Sequence, residues 1–377
     1  VLPLPLSPAL AETTDTGAAL FVRRLLVWYD GAQRDLPWRR TLDAYAVWVS
    51  EMMLQQTQVA TVIPFWTRWM ERFPDIRSLA EAPLDDVLKM WQGLGYYARA
   101  RNLHKAALVI VERHGGIFPS ELSEVLALPG IGRYTAGAVC SIALGLDAPI
   151  VDANVIRVLC RYFGLRGDPK SPIVQAQLWQ LAADLIPPGN ASMFNQAMME
   201  LGALICDSRP RCSSCPVQSG CCAQASGNPE RLPEFAPRPV FTTQTDVSAI
   251  IEHPSGDGRL LLVRRPEGGL WGGLYEFPRV TAGDEERPAV AAVRAAREIA
   301  GLETDAGENL GFVRHGVTTR KITLIGVACR ISGSEAEVSP PLQWVKSAAL
   351  DNYALSSPQV RLAAQVRAQE RQPTLFE

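Results

Sequence analysis

The sequence predicts a multidomain chain, with an all-α domain over 18–225 followed by an α+β domain over 244–366. Three observations carry this. At 377 residues the chain exceeds what one ordinary core organises. Apolar residues recur at three and four through most of the first half. Beyond a stretch rich in proline and glycine, the period changes to two.

In the first half, "AALFVRRLLVWYD", "LDDVLKMWQGL", "NLHKAALVIVERHG" and "PIVQAQLWQLAADLI" read as helices separated by Gly or Pro. Next comes "AQASGNPERLPEFAPRPVFTTQTD", which has no period and reads as a linker over 226–243. In the second half, "DVSAIIEH", "GRLLLVRR", "KITLIGVACRI" and "LQWVK" read as strands and "PAVAAVRAAREIAG" as a helix. The apolar, proline-rich start over 1–17 lacks a basic segment and reads as a disordered tail rather than a signal peptide. No run of about 18 apolar residues predicts a membrane span.

Composition is that of a globular protein, 47% hydrophobic and 20% charged. The net charge of −2 argues against holding a polyanion by bulk basicity. Nucleic-acid contacts then have to come from helix N-termini, loop amides and a few placed cations.

Four constellations carry chemistry. In "LPGIGRYTAGAV", Gly130 and Gly132 allow close approach of a backbone, and a helix opening at about Arg133 presents unpaired N–H groups to a phosphate oxygen. After the helical "SELSEVLA" this makes a helix-hairpin-helix, and no strand precedes it as a dinucleotide fold would require. In "VDANVIRVLCR", Asp152 is placed to cap a helix near Val155, which would hold its carboxylate ionised and fixed. In "WVSEMMLQQTQVATVIPFW", Glu51 sits among Trp48, Val49, Met52 and Met53. Such desolvation raises a carboxyl pKa toward that of a general acid. The polar run Gln55, Gln56, Thr57 and Gln58 beyond it suits base edges or sugars.

The fourth constellation is Cys206, Cys212, Cys215 and Cys221, at intervals of five, two and five residues. Without a secretory signature, a structural metal site explains them better than disulfides. Zinc and an iron–sulfur cluster both accept four cysteines, and spacing alone does not choose between them.

Together these segments, with "LPWR", "GLGYYARARNL", "FNQAMMELGALIC" and "LWGGLYEFP", resemble the adenine DNA glycosylase family of the endonuclease III-like helix-hairpin-helix superfamily. The resemblance implies an all-α helix-hairpin-helix glycosylase domain with an iron–sulfur cluster loop over 206–222, then an α+β Nudix-like domain. It implies an enzyme that flips adenine paired with 8-oxoguanine out of duplex DNA and hydrolyses its N-glycosidic bond. Glu51 becomes the acid that protonates the adenine ring and later helps activate water. Asp152 becomes the anion facing the oxocarbenium-like sugar, with Tyr134 and Asn154 beside it. In the strand-cleaving relatives a lysine stands at the position of Tyr134 and attacks the sugar as an amine. A phenol forms no imine, so Tyr134 implies a monofunctional glycosylase. A lyase acting on oxidised pyrimidines is the alternative it disfavours.

The same resemblance places Trp38, Arg39, Leu54 and Gln196 at the adenine pocket, although core packing also accounts for Trp38 and Leu54. It places Gln56, Thr57 and Tyr96 near the 8-oxoguanine or the vacated space, and Arg209 and Arg211 near phosphate. The cysteines carry over as ligands of a [4Fe–4S] cluster, although one residue fewer separates the first two than in the family and Cys222 adjoins Cys221. In the Nudix-like domain the helix offers only Glu298 where a hydrolase needs several glutamates for Mg²⁺. Its recognition loop is "HGVTTRKI", in which His315 is kept, Thr318 stands for a serine, and Thr319 cannot replace a histidine. The tail over 367–377 ends in "RQPTLFE", which is similar to the bacterial sliding-clamp motif with Gln372, Leu375 and Phe376 as anchors. A monomer at the bacterial nucleoid in the cytoplasm is the implied setting.

Overall fold

The structure, a computed structural model, describes residues 17–237, 240–333 and 337–370. The clamp-like residues Gln372, Leu375 and Phe376, and the first sixteen residues, lie outside those described. The chain divides into two units. One comprises the described residues up to Glu81 together with Asn102–Pro237, and the other comprises Ala82–Arg101 together with the described residues from 240 onward.

The first unit is helical. Its elements are α1 (Gly17–Ala32), α2 (Ala44–Leu54), α3 (Val59–Arg72), α4 (Ile76–Glu81), most of α6 (Ala98–His114), α7 (Leu122–Leu126), α8 (Arg133–Ile142), α9 (Ala153–Phe163), α10 (Pro172–Asp184), α11 (Ala191–Leu204) and α12 (Cys222–Ala225). α5 (Leu84–Met90) belongs to the other unit. Side chains fix where several of these begin: the Asp43 carboxylate accepts from Tyr45 N–H at α2, and Ser171 accepts from Val174 N–H at α10, with Pro172 in the first position. α9 is capped by Asp152, which accepts from Val155 N–H, and it ends at Gly164 in the left-handed region. Its apolar face (Val155, Val158, Leu159) packs with Phe21, Leu25 and Leu26 of α1 and with Phe194, Met198 and Leu201 of α11.

α2 is apolar on all sides and buried over Ala44–Met53. Trp48, Val49, Met52 and Met53 are each at most 1% exposed. Such side chains contribute roughly 1.5–3 kcal/mol apiece, which offsets the cost of carrying Glu51, only 4% exposed, in the same helix. α8 follows the left-handed Gly130, and its Gly137 lies against Pro149, where a Cβ would meet the carbonyl oxygen at 2.2 Å. That contact brings the segment before Asp152 close to α8.

The second unit is α+β. Strands β1 (Thr242–Ile251), β4 (Arg279–Thr281), β5 (Thr304–Val317) and β6 (Arg320–Ile331) form a sheet in the order β4-β1-β6-β5. β1 and β6 are parallel, with Val247 opposite Ile325, and the other pairs are antiparallel. β2 (Arg259–Arg264), β3 (Tyr275–Glu276) and β7 (Leu342–Lys346) form a second, antiparallel sheet with Leu261 opposite Trp344. α13 (Pro288–Ala295), continued by a π-helical turn, covers Val247, Ala249 and Val327 with its alanines. α14 (Ser357–Glu370) contributes Leu362, Ala363 and Val366 to a separate core with Phe277 and Val313. Among the described residues no helix is long and apolar enough to cross a membrane.

Candidate active site

Five elements of the first unit converge on one cavity of about 250 Å³. α2 brings Glu51, the first turn of α8 brings Tyr134, and the start of α9 brings Asp152 and Asn154. α11 brings Gln196 and Met199, and the short turn Pro37–Arg39 brings Trp38 and Arg39. Arg34 and Ala203, 169 positions apart, therefore share one space, which no local pattern encodes.

Tyr134 Oη donates to Glu51 Oε2 at 2.5 Å. Burial drives the Glu51 pKa up to about 7, and the negative charge of Asp152 adds to the rise. The Tyr134 hydrogen bond and Arg39 pull the other way. The Tyr134 phenol is itself pushed well above its ordinary value, first by burial and then by Glu51 and Asp152. Tyr134 is thus a donor at neutral pH.

Asp152 Oδ1 accepts from Val155 N–H at 2.7 Å, and Oδ2 accepts from Asn154 Nδ2 at 2.8 Å. Capping was expected to hold this carboxylate ionised. The bonds from Val155 and Asn154 and the charge of Arg157 do favour the anion, but burial outweighs them and the net shift is upward. The cap restrains the rise without reversing it.

Of the other residues singled out in the sequence, Trp38, Arg39, Leu54, Thr57 and Gln196 line the Glu51 cavity. Trp38 is also a core side chain, 5% exposed, with its ring edge-on to Trp66. Gln196 Oε1 accepts from Tyr29 Oη at 3.4 Å. Gln55 is not among the lining residues; its amide donates to Thr135 Oγ1 at 3.2 Å and ties the end of α2 to α8. Gln56 follows in the left-handed region at φ 56.

Gly130, at φ 75, lies where a Cβ would meet Asn102 at 2.4 Å, and Gly132 is the N-cap of α8. The Arg133 guanidinium rests 4.1 Å from the Trp179 ring centroid. Tyr96, His315 and Thr318 belong to the second unit, where they line a different cavity of about 320 Å³ together with Trp271. Tyr96, Trp271 and Thr318 all hold positive φ, a costly backbone state for residues with a Cβ.

Cys206, Cys212, Cys215 and Cys221 line one small cavity, with Arg161 Nη1 donating to Cys206 Sγ at 3.4 Å. Cys222 is exposed and packs against Gly164 instead.

Residues 49–184 match the HhH-GPD superfamily base excision DNA repair protein family, and residues 249–365 match the NUDIX domain. The adenine DNA glycosylase of Homo sapiens is 39% identical over 390 residues, covering 88% of this chain and 71% of the relative. The chain belongs to the adenine DNA glycosylase family. The adenine DNA glycosylase of Buchnera aphidicola (subsp. Acyrthosiphon pisum) is 40% identical over 262 residues, covering 69% of this chain and 74% of the relative. A solved thermostable thymine-DNA glycosylase superposes with a TM-score of 0.52 at 31% identity, covering 56% of this chain and 97% of its own. This chain is a DNA N-glycosylase, a hydrolase of base excision repair.

Several further side chains at and around this cavity carry no local sequence signal of their place there. Arg34 lines the Glu51 cavity, and the buried Glu200 binds both Arg34 and Arg39. Arg157 donates to Asn154 Oδ1 at 2.8 Å and to the carbonyls of Gly202 and Cys206. The one charged residue of its helix, in "MMELG", was the available signal for Glu200, since a carboxylate buried at 0% exposure requires a partner.

Proposed function

We propose that this glycosylase removes adenine paired with 8-oxoguanine, without strand cleavage, using Glu51 as general acid and Asp152 as the anion facing the sugar. The observation that carries this is the Glu51 carboxyl, pushed to about 7 by burial and held by Tyr134 in the cavity that Asp152 also lines. A carboxyl that retains its proton near neutrality protonates the departing base, so the base leaves neutral. A positioned acid of this kind contributes roughly 10²–10⁴-fold. Asp152 then stabilises positive charge as it develops on the sugar, and the deprotonated Glu51 helps activate the water that attacks. Asn154 orients Asp152. Trp38, Arg39, Leu54 and Gln196 surround the flipped base, and Gln56 and Thr57 lie toward the vacated stack. Gly130, Gly132 and Arg133 take the DNA backbone, and Tyr134, a phenol, forms no Schiff base with the sugar.

Recognition of 8-oxoguanine is assigned to the second unit. The support is the cavity shared by Tyr96, His315 and Thr318 and the positive φ of two of them. Duplexes carrying 8-oxoguanine:adenine, guanine:adenine, 8-oxoguanine:cytosine or thymine glycol test the reading. Adenine is expected to leave fastest opposite 8-oxoguanine, with strand breaks only after alkali. Alkali-independent cleavage trapped by borohydride, or turnover of thymine glycol, overturns it.

A [4Fe–4S] cluster fits the cysteine loop by its donors: four thiols line one cavity while Cys222 faces elsewhere. The cluster would be held by Cys206, Cys212, Cys215 and Cys221. Its role would be to brace the loop carrying Arg209 and Arg211. The tail residues Gln372, Leu375 and Phe376 are assigned to a sliding clamp on their sequence alone.

A further inference from the structure

We infer that Glu200 is a positioning residue of the reaction, which holds Arg34 and Arg39 at the base pocket and, through Arg39, sets the protonation of Glu51. This rests on the reading of Glu51 as the general acid.

Glu200 lies on α11 with its side chain fully buried. Arg34 Nε donates to both of its oxygens, at 3.0 and 2.9 Å, and Arg39 Nη1 pairs with Oε1 at 2.5 Å. Arg39 Nη1 also donates to the backbone carbonyl of Arg34 at 3.1 Å. Both guanidinium groups line the Glu51 cavity, whereas Glu200 is not among its lining residues. One carboxylate thus fixes two guanidinium groups from behind, Arg34 through one N–H shared between both oxygens and Arg39 through Nη1. Guanidinium groups held at the lining of this cavity are donors of the kind that ring-nitrogen acceptors of a purine require. Gln196, one helical turn before Glu200, is steadied by Tyr29. The base-facing polar groups are therefore organised from α11.

The same carboxylate balances charge. The groups facing Glu51 are Tyr134 on α8, Asp152 at the N-cap of α9 and Arg39 in the turn before α2. Those facing Glu200 are Arg34, Arg39 and Tyr29. Arg39 lowers the Glu51 pKa. An uncompensated Arg39 would favour the Glu51 carboxylate and discharge the acid at lower pH. The ion pair with Glu200 keeps the donor in place while opposing its field at Glu51.

The test is the pH dependence of single-turnover adenine release by the full chain. Glu200→Gln keeps the shape and removes the charge. Its basic limb is expected to move to lower pH by on the order of one unit, so that the loss is about twofold near pH 6 and approaches tenfold near pH 8. In an Arg39→Gln background the same change is expected to move the limb little, because its effect passes through Arg39. Glu200→Asp keeps the charge one methylene back: a slower rate at the original midpoint is expected, and it carries the test if Glu200→Gln does not fold. A folded Glu200→Gln with an unmoved limb, a shift that persists without Arg39, or an Asp variant at full rate overturns the inference. The underlying reading fails separately, if Glu51→Gln retains turnover.

Discussion

Tyr134 Oη stands 2.5 Å from Glu51 Oε2 and donates to it. A donor aimed at a carboxylate stabilises the ionised form, so this bond opposes the burial that pushes Glu51 up to about 7. Tyr134→Phe removes the donor and leaves the burial. The basic limb of the pH–rate profile should then shift to higher pH, and the rate on its plateau should fall several-fold as the carboxyl loses its orienting partner. Single-turnover rates across pH 5 to 9 check this, and an acid-ward shift would refute the assigned role of the bond. The direction is opposite to that expected for Glu200→Gln, so the two variants read the two sides of one electrostatic balance.

Glu51→Gln should abolish base release, by about 10³-fold or more, while retaining affinity for mispaired duplex. The same change should alter stability in a pH-dependent way. Because the folded pKa of Glu51 is raised above its unfolded value, its protonated form favours the fold. That contribution is complete below about 4.5 and is lost as pH climbs through about 7. A rise from 4.5 to about 7, at about 1.4 kcal/mol per unit, is on the order of 3 kcal/mol. Relative to wild type, the Gln variant should therefore gain up to that amount between pH 4 and pH 8. Urea denaturation at both pH values measures it, and parallel stability curves would show that Glu51 is not raised.

How much of this was legible in the sequence follows from the range of the interactions. The Asp152 cap spans three residues, and its partner Val155 could be named from the pattern alone. The switch of period from helix to strand likewise needs only a short window, and β7 is the stretch "LQWVK" itself. Arg34 and Glu200 meet across 166 residues, and nothing near either predicts the other. Gln55 is nonlocal too: its polarity after an apolar helix suggested contact with DNA, and its amide also bonds Thr135, 80 residues away. The grouping of Ala82–Arg101 with the C-terminal half is also nonlocal: Tyr97 Oη donates to the Leu355 carbonyl at 3.0 Å and Arg101 Nη1 to that of Gly272 at 2.6 Å.

The cysteine loop makes a prediction that separates neighbours in sequence. Cys221 lines the cavity shared with Cys206, Cys212 and Cys215, and Cys222 is exposed against Gly164. Cys221→Ser should lower both the visible absorbance of the purified protein and its thermal stability, while Cys222→Ser should change neither. Equal losses in the two variants, or a colourless wild type with stoichiometric zinc, would contradict the assignment of the fourth ligand and of the cluster.

Gly202 joins packing to chemistry. It lies inside α11, where alanine is ordinarily the better helix former by roughly 0.5–1 kcal/mol. Here a Cβ would come within 2.5 Å of Asn154 Cβ and 2.9 Å of its Cα. These atoms sit on the first turn of α9, two residues from Asp152, and a backbone contact cannot rotate away. Gly202→Ala should therefore destabilise by about 1–3 kcal/mol despite its propensity. It should also slow adenine release, because relief of the clash moves Asn154 and with it the bond to Asp152 Oδ2. Gly31, near the end of α1, has open space where a Cβ would stand. Gly31→Ala should instead stabilise by up to about 1 kcal/mol and leave the rate alone. Chemical denaturation together with single-turnover kinetics on both variants decides it. If Gly202→Ala proved as stable and as fast as Gly31→Ala, α11 would not be what holds the start of α9 in place.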